Sequence, residues 1–174
     1  LVTLAGVGTP FSTVAIGAGG RVNLAPGSSA VLETQDLQIS PGGLLDLHDN
    51  DVIVNYSSVS PVGVWTGTAY DGLAGMIASG KILTSSAVGS RHALGVAEAR
   101  DALNLIGAAT ATFTGRSVDS TSVLLKFTWG GDANLDGKIN IDDYGRIDGN
   151  VNKSGTVFGW FNGDFNYDGK INID

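Results

Sequence analysis

The sequence predicts a mainly β fold, in which a short β-solenoid-like repeat and a small mixed α/β cap precede a compact C-terminal lobe. Three observations support this prediction. Short apolar pairs alternate with turns through the first 55 residues, the next segment changes character, and an acidic twelve-residue motif occurs twice near the end. We therefore divide the chain into a β-rich repeat body with its helical cap, residues 1–130, and a lobe, residues 131–174.

The repeat consists of apolar pairs whose two members are separated by one residue, as in a strand with one buried face. The pairs begin seven or eight residues apart, and the segment at 22–32 resembles the segment at 37–47, fifteen residues later. The six pairs are Val14/Ile16, Val22/Leu24, Ala30/Leu32, Leu37/Ile39, Leu45/Leu47 and Val52/Val54. Two strands and two turns per fifteen residues predict a solenoid coil, although a meander or sandwich uses the same short strands. In a solenoid, the first coil presents an uncovered edge.

The predicted cap begins with a short helix that Asp71 starts and Gly80 ends, with Leu73, Met76 and Ile77 on one face. A second helix is predicted at 95–107, where Val96, Ala99 and Leu103 share a face before Gly107. The segments 109–114 and 122–129 predict a pair of strands around a turn at 115–120.

Composition excludes several classes of function. The formal charge is −7 and the ten Lys and Arg are scattered, which argues against a nucleic-acid partner. No apolar run approaches the roughly 18 residues of a membrane span, and the lack of cysteine excludes disulfides and thiolate chemistry. With two His, and two Glu that lie in no catalytic motif, we expect a protein that is not an enzyme. A chain rich in Gly and Asp but poor in Glu and His favours an extracellular or cell-surface location.

The duplicated motif gives the chemistry of the lobe. Residues 131–142 and 163–174 are identical at ten of twelve positions and lie thirty-two residues apart. Each copy places oxygen-bearing side chains at loop positions 1, 3 and 5 and turns at a glycine in position 6. Ca²⁺ takes six to eight oxygen ligands, and a loop of this spacing can wrap around such an ion. A turn-rich surface loop is the alternative, and the duplication argues against it.

The predicted metal ligands follow from this spacing. In the first copy, side-chain oxygens come from Asp132, Asn134, Asp136, Asn140 and Asp143, and Lys138 supplies its backbone carbonyl. In the second copy, the equivalent residues are Asp164, Asn166, Asp168, Lys170 and Asn172. Position 8 is Ile139 in one loop and Ile171 in the other, and we expect the two to pair. The second copy stops at position 11 with Asp174, so we expect the sequence to be cut from a longer chain. The alternative is a second site that the C-terminal carboxylate, a neighbouring chain or water completes.

These two copies resemble the tandem loop–helix repeats of type I dockerin domains, over residues 132–174. The region from about Gly63 onward also resembles the C-terminal region of secreted bacterial β-helix or autotransporter-like repeat proteins. The resemblance implies a dockerin/EF-hand-like calcium lobe, an extracellular setting, and docking to a partner such as a cohesin-like domain or a surface.

Three functions agree with these observations. The first is a non-catalytic, calcium-stabilised structural module that self-associates through the open edge of its repeat into a fibre or surface matrix. The second is a docking module that attaches a larger secreted protein to a receptor domain. The third is a carbohydrate-binding module, in which Trp65, Trp129 or Trp160 stacks on a polysaccharide. Positions 10 and 11 lack the small hydroxyl residues frequent in cohesin-binding dockerins, which favours the first function.

Overall fold

The computed structural model describes residues 1–4, 8–27, 30–87 and 91–172. Strand accounts for 34% of the structure and helix for 18%. The prediction of a mainly β protein with a few short helices is therefore confirmed.

Seven short strands form the N-terminal part of the body. They are β1 (Val2–Leu4), β2 (Val14–Ile16), β3 (Arg21–Leu24), β4 (Val31–Thr34), β5 (Leu37–Ile39), β6 (Leu44–Asp46) and β7 (Asp51–Asn55). In β5, Leu37 and Ile39 are buried, while Gln38 between them is exposed. The predicted apolar pairs all lie in or directly beside these strands, and the single buried face of β5 follows from the alternation in the sequence.

The strands stack in parallel at a longer spacing than predicted. β2 pairs with β5 through Val14 and Leu37, 23 positions apart, and β4 pairs with β7 through Val31 and Asp51, 20 positions apart. A third parallel stack joins β1, β3 and β6, and β8 (Ile82–Leu83) extends it. The predicted coil of fifteen residues is wrong, because from β2 to β7 each return of the chain to the same stack comes three strands later, after 20 or 23 residues.

A four-stranded sheet, in the order β4, β7, β12, β9, covers one side of the body. Its last two strands are β9 (His92–Glu98) and β12 (Ser122–Trp129), and β12 runs antiparallel to both of its neighbours. Ile53 of β7 and Leu124 of β12 lie opposite each other and are fully buried, as are Val54 and Val123 beside them. The two central strands are therefore buried on both faces.

The structure contradicts the helix predicted at 95–107. Residues 92–98 form β9, whose pairing with β12 runs from His92 opposite Trp129 to Glu98 opposite Val123. Helix α2 is limited to Ala99–Ala102. The apolar spacing suggested a helix, but the pairing of seven residues with β12, which follows later in the chain, favours a strand.

The predicted strand pair is also different in the structure. β10 (Thr110–Phe113) pairs with β11 (Arg116–Asp119), which lies within the predicted turn. The actual turn is Thr114–Gly115, and both residues have positive φ, 44° and 78°. Positive φ at both residues is characteristic of a type I′ hairpin turn. β12 is thereby free to pair with β7 and β9.

The first predicted helix is confirmed as α1 (Gly72–Ala78). Leu73 is buried, and Met76 and Ile77 pack against the core. Gly80 follows the helix with a φ of 73°, as expected of a residue that ends it. Asp71 precedes the helix, but its carboxylate accepts from the Val64 N–H (2.6 Å) instead of capping the helix.

The C-terminal lobe contains α3 (Ile141–Asn150) and short 3₁₀ turns at Val151–Lys153 and Trp160–Asn162. Leu135, Trp160 and Tyr167 belong to the same buried cluster as the strands of the body. The Tyr167 hydroxyl donates to the Leu94 carbonyl of β9 (2.8 Å). The division at residue 130 stays a prediction, and these contacts cross it.

Candidate metal centre

The two copies of the acidic motif fold into loops of the same conformation. Position 4 has a positive φ in both, 60° at Leu135 and 59° at Tyr167. The glycine at position 6 does as well, with 89° at Gly137 and 80° at Gly169. A left-handed backbone is unusual for Leu or Tyr, so the same turn in both copies is a property of the motif.

Hydrogen bonds within the first loop gather its predicted oxygen ligands. The Asp136 N–H donates to Oδ1 of Asp132 and to Oδ1 of Asn134, both at 3.0 Å. The Gly137 N–H donates to the other Asp132 oxygen, Oδ2, at 2.8 Å. The side chains of positions 1 and 3 are therefore turned towards the same backbone amide.

The second loop repeats this pattern atom for atom. The Asp168 N–H donates to Oδ1 of Asp164 and to Oδ1 of Asn166, both at 3.1 Å, and the Gly169 N–H donates to Asp164 Oδ2 at 2.9 Å. Asp164 is fully buried, as is Asp132 in the first loop. In both copies, the predicted ligands at positions 1 and 3 are therefore brought together at the backbone amide of position 5.

Asp143 closes the first loop. It lies in the first turn of α3 and is fully buried, and its carboxylate accepts from Ala133 N–H at the start of the loop and from Asn140 N–H at its end, both at 2.8 Å. Asn140 caps the helix by accepting from Asp142 N–H (2.8 Å). This reciprocal arrangement is a capping box, and it holds positions 9 and 12 beside the loop entrance.

The predicted residues at position 7 have the same environment in both copies. Lys138 and Lys170 are exposed, and their amides donate to Asp136 and Asp168 at 2.8 and 2.9 Å. Asn172 is half-buried. Positions 10 and 11 of the second copy, 173 and 174, lie outside the described residues.

The expected pairing of Ile139 with Ile171 is not seen. Ile171 is 2% exposed and Ile139 is 44% exposed. Among the described residues, the β-bridges outside the strands do not include this pair. The Ile171 N–H instead donates to the Ser154 hydroxyl at 2.9 Å.

The electrostatics of the first loop suit a cation. Burial raises the pKa of Asp132, and the nearby Asp143 and Asp136 carboxylates raise it further against the hydrogen bonds from Thr128 and Gly137. Within the described ranges, the ion pairs are His48–Asp46 and Arg100–Asp101, so no side-chain cation compensates either buried loop aspartate. An all-oxygen donor set around an uncompensated buried carboxylate fits a hard cation such as Ca²⁺.

Over that same part of the chain, no group of three or more His, Asp or Glu side chains is arranged to hold a metal. The predicted set for the first loop combines three carboxylates with two side-chain amides and a backbone carbonyl. Because the three carboxylates are not arranged as a metal-binding group, calcium binding stays a prediction.

Two body residues that the sequence analysis did not identify contact the loops. Thr128 of β12 donates its hydroxyl to Asp132 Oδ2, and the Tyr70 hydroxyl donates to Asp164 Oδ2 at 2.5 Å. Trp160 also reaches the first loop, because its indole N–H donates to the Asp132 carbonyl at 2.7 Å. No local sequence pattern marks Tyr70, which lies 94 positions before Asp164.

The three tryptophans proposed for sugar stacking have different environments. Trp160 is fully buried and packs against Phe165 and Tyr167. Trp65 is half-buried between Tyr70 and Phe158. Trp129 is the most exposed of the three, and its ring lies 3.9 Å from that of His92.

Ser85, His48 and Asp46 also lie together. The Ser85 hydroxyl is 2.9 Å from His48 Nδ1, and His48 Nε2 is 3.7 Å from Asp46 Oδ2. The Ser85 and Ser86 amides, which lie nearest to the hydroxyl, already donate to Asp46 Oδ1 and to Thr84 Oγ1. The cluster joins the turn after β6 to the segment after β8, and these two amides are engaged instead of forming an oxyanion hole.

Comparison of this chain with protein-family models, curated proteins and solved structures gives no match. Among the described residues, the helices are too short or too polar to span a bilayer.

Proposed function

We propose that this chain is a non-catalytic, calcium-stabilised extracellular structural module. One observation carries the proposal: the two loops repeat the same hydrogen-bond pattern around a buried aspartate for which the described residues offer no cationic partner. Calcium, when bound, would supply the positive charge that these carboxylates lack. Its binding energy is then partly folding energy, because the loop aspartates repel one another without it.

In this proposal, the protein's own residues form the cation site. Asp132, Asn134, Asp136, Asn140 and Asp143 provide side-chain oxygens in the first loop, with the Lys138 carbonyl. Asp164, Asn166, Asp168 and Asn172 do so in the second, with the Lys170 carbonyl. The capping box of Asn140 and Asp143 orients the closing ligand, and the tight turn at each glycine folds the loop back on itself.

The proposed body is a short β-solenoid. Three stacks of parallel strands support this proposal, since from β2 to β7 they follow one another along the chain in a constant order. β1 and β2 lie at the outer edges of two of these stacks, and Leu1, Val2 and Phe11 are exposed there. An unpaired strand edge with exposed apolar side chains is a template for pairing with another chain. Self-association of copies at this edge would build a fibre or surface matrix.

A docking role is the second candidate, and the outer face of α3 favours it. Ile141 is 79% exposed and Tyr144, one turn further along the helix, is 56% exposed. Two large apolar side chains on one exposed helix face are typical of a protein-binding surface. A pull-down with cohesin-like domains tests this role.

Thermal melts in Ca²⁺ and in EDTA test calcium stabilisation. We expect a higher melting temperature in Ca²⁺, because at 100 times its Kd a bound ligand stabilises the folded state by about 2.7 kcal/mol per site. Asp132→Asn and Asp164→Asn together should abolish the difference, and Asp101→Asn, outside the loops, should preserve it. Superimposed wild-type melts would rule out calcium stabilisation.

Electron microscopy of the protein in Ca²⁺ tests the proposed self-association. We expect ordered polymers.

A further inference from the structure

The first aspartate of each loop receives a hydroxyl hydrogen bond from the body. Tyr70 donates to Asp164 in the second loop at 2.5 Å, and Thr128 donates to Asp132 in the first. In both cases the accepting atom is Oδ2. The two donors come from different elements, a segment beside α1 and the strand β12, yet they reach the equivalent atom of two equivalent residues.

The same oxygen also accepts from the loop glycine. Asp164 Oδ2 accepts from Gly169 N–H at 2.9 Å, and Asp132 Oδ2 accepts from Gly137 N–H at 2.8 Å. Each Oδ2 therefore has two donors, which is the number of its lone pairs. Each Oδ1 accepts from one amide in this structure, that of position 5. A lone pair of Oδ1 remains for a cation.

Tyr70 is itself held in the donating orientation. Its ring is buried between Trp65 and Tyr167, and its oxygen accepts from Gly159 N–H at 2.7 Å. With that donor in place, the hydroxyl hydrogen is directed at Asp164.

We propose that Tyr70 and Thr128 are positioning residues for calcium, which saturate Oδ2 of the first aspartate in each loop and so present Oδ1 to the ion. This inference rests on the proposed calcium binding. Groups that hydrogen-bond to metal ligands fix their orientation, and loss of such a group lowers metal affinity about 10- to 100-fold. Each hydroxyl would thus make one calcium loop dependent on the body.

Calorimetric titration of the full chain with CaCl₂ tests the inference. We expect Tyr70→Phe to weaken one of two sites about 10- to 100-fold and leave the other unchanged, and Thr128→Val to do the reverse. Thr128→Ser keeps the hydroxyl and should restore binding. In an Asp132→Asn background, where the second loop remains, Tyr70→Phe should still weaken binding. In an Asp164→Asn background it should have no effect.

Tyr56→Phe is the matched control, because the Tyr56 hydroxyl donates to Glu98 at 3.0 Å, outside both loops. Tyr56→Phe should leave both calcium affinities unchanged. This should hold even if thermal melts in EDTA show that Tyr56→Phe and Tyr70→Phe destabilise the protein equally. Wild-type affinities in Tyr70→Phe and Thr128→Val would overturn the inference and leave the proposed function standing. A wild-type chain that binds no calcium would overturn both. If Tyr70→Phe fails to fold, the comparison of Thr128→Val with Thr128→Ser tests the inference.

Discussion

At the residue scale, buried polar side chains of the body form hydrogen bonds between segments that are distant in sequence. Asp51 is buried between the sheet and the β10–β11 hairpin, where its oxygens accept from the Thr114 hydroxyl (2.6 Å) and from Phe127 N–H (3.0 Å). Asn50 beside it bonds to residues of the preceding layer. Both connect segments that are distant in sequence, so each should have a measurable effect on stability.

Asp51 should make stability fall as the pH rises. Burial raises the pKa of Asp51, against the hydrogen bonds from Thr114 and Phe127 and the nearby Lys126 ammonium. A carboxyl with a raised pKa holds its proton more tightly in the folded state, so its favourable contribution is present at acid pH and is lost as the pH rises from about 4 through the raised value. The free energy of unfolding of wild type relative to Asp51→Asn should therefore decrease over this range in urea titrations.

Asp119 provides a control of opposite sign. Hydrogen bonds from the Thr121 hydroxyl and amide lower its pKa. The stabilising contribution of Asp119 is present above the ordinary pKa range of aspartate and is lost as the pH falls. The free energy of unfolding of wild type relative to Asp119→Asn should therefore increase as the pH rises. Parallel pH profiles for the two variants would contradict the assignment of Asp51.

Asn50 should stabilise the stacking of successive layers. Its amide donates to the Ala25 and Leu47 carbonyls at 3.0 and 2.9 Å and accepts from Ala30 N–H at 2.7 Å. Because Asn50 is buried, Asn50→Ala leaves these backbone groups without that partner and should reduce the free energy of unfolding by about 1–3 kcal/mol. Asn152→Ala, at an exposed position, is the control. Equal urea midpoints for the two variants would show that the layers do not depend on this amide.

At the scale of elements, β9 and the lobe pack in close contact at Gly95. A Cβ on Gly95 would lie 2.5 Å from Leu135 Cδ2 and 2.7 Å from the Trp160 indole. Leu135 is in the first loop and Trp160 precedes the second, so one position of β9 contacts both parts of the lobe. This strand was predicted as a helix, and the lobe packs closely on it only because residue 95 lacks a side chain.

Gly95→Ala should separate the lobe from the sheet. Overpacking of a buried contact costs about 1–3 kcal/mol, and we expect the environment of Trp160 to change, with a shift in its fluorescence. Gly145→Ala in α3 is the control, since a Cβ there meets no atom within 4 Å. It should stabilise by about 0.5–1 kcal/mol, as alanine favours a helix interior. Wild-type stability and fluorescence in Gly95→Ala would contradict this packing.

At the scale of the whole molecule, the open edge of the repeat determines the proposed assembly. Val2 in β1 is 54% exposed, and β1 is an outer strand of its sheet. Calcium would act at the opposite end of the sequence, where the loops join the same buried cluster as the sheets.

Val2→Lys should prevent the proposed polymers, because a charged side chain at a strand edge blocks pairing with another chain. Val64→Lys makes the same change at another exposed valine, in the cap, and should leave assembly unchanged. Light scattering in Ca²⁺ measures both. Polymers formed equally by both variants would place the contact elsewhere on the molecule.

The sequence by itself determined the positions of the short N-terminal strands and the two acidic loops, because both depend on local order: alternating apolar residues mark a strand, and a short motif sets each turn. Only the tertiary structure decided that three strands complete a layer, that residues 92–98 form a strand, and that Tyr70 and Thr128 reach the loops. Each of these outcomes depends on groups that lie on different elements or loops, and all but the contact of Thr128 with Asp132 join residues that are tens of positions apart in the chain. Local spacing cannot encode such pairings, because packing selects the partner only after the chain has folded.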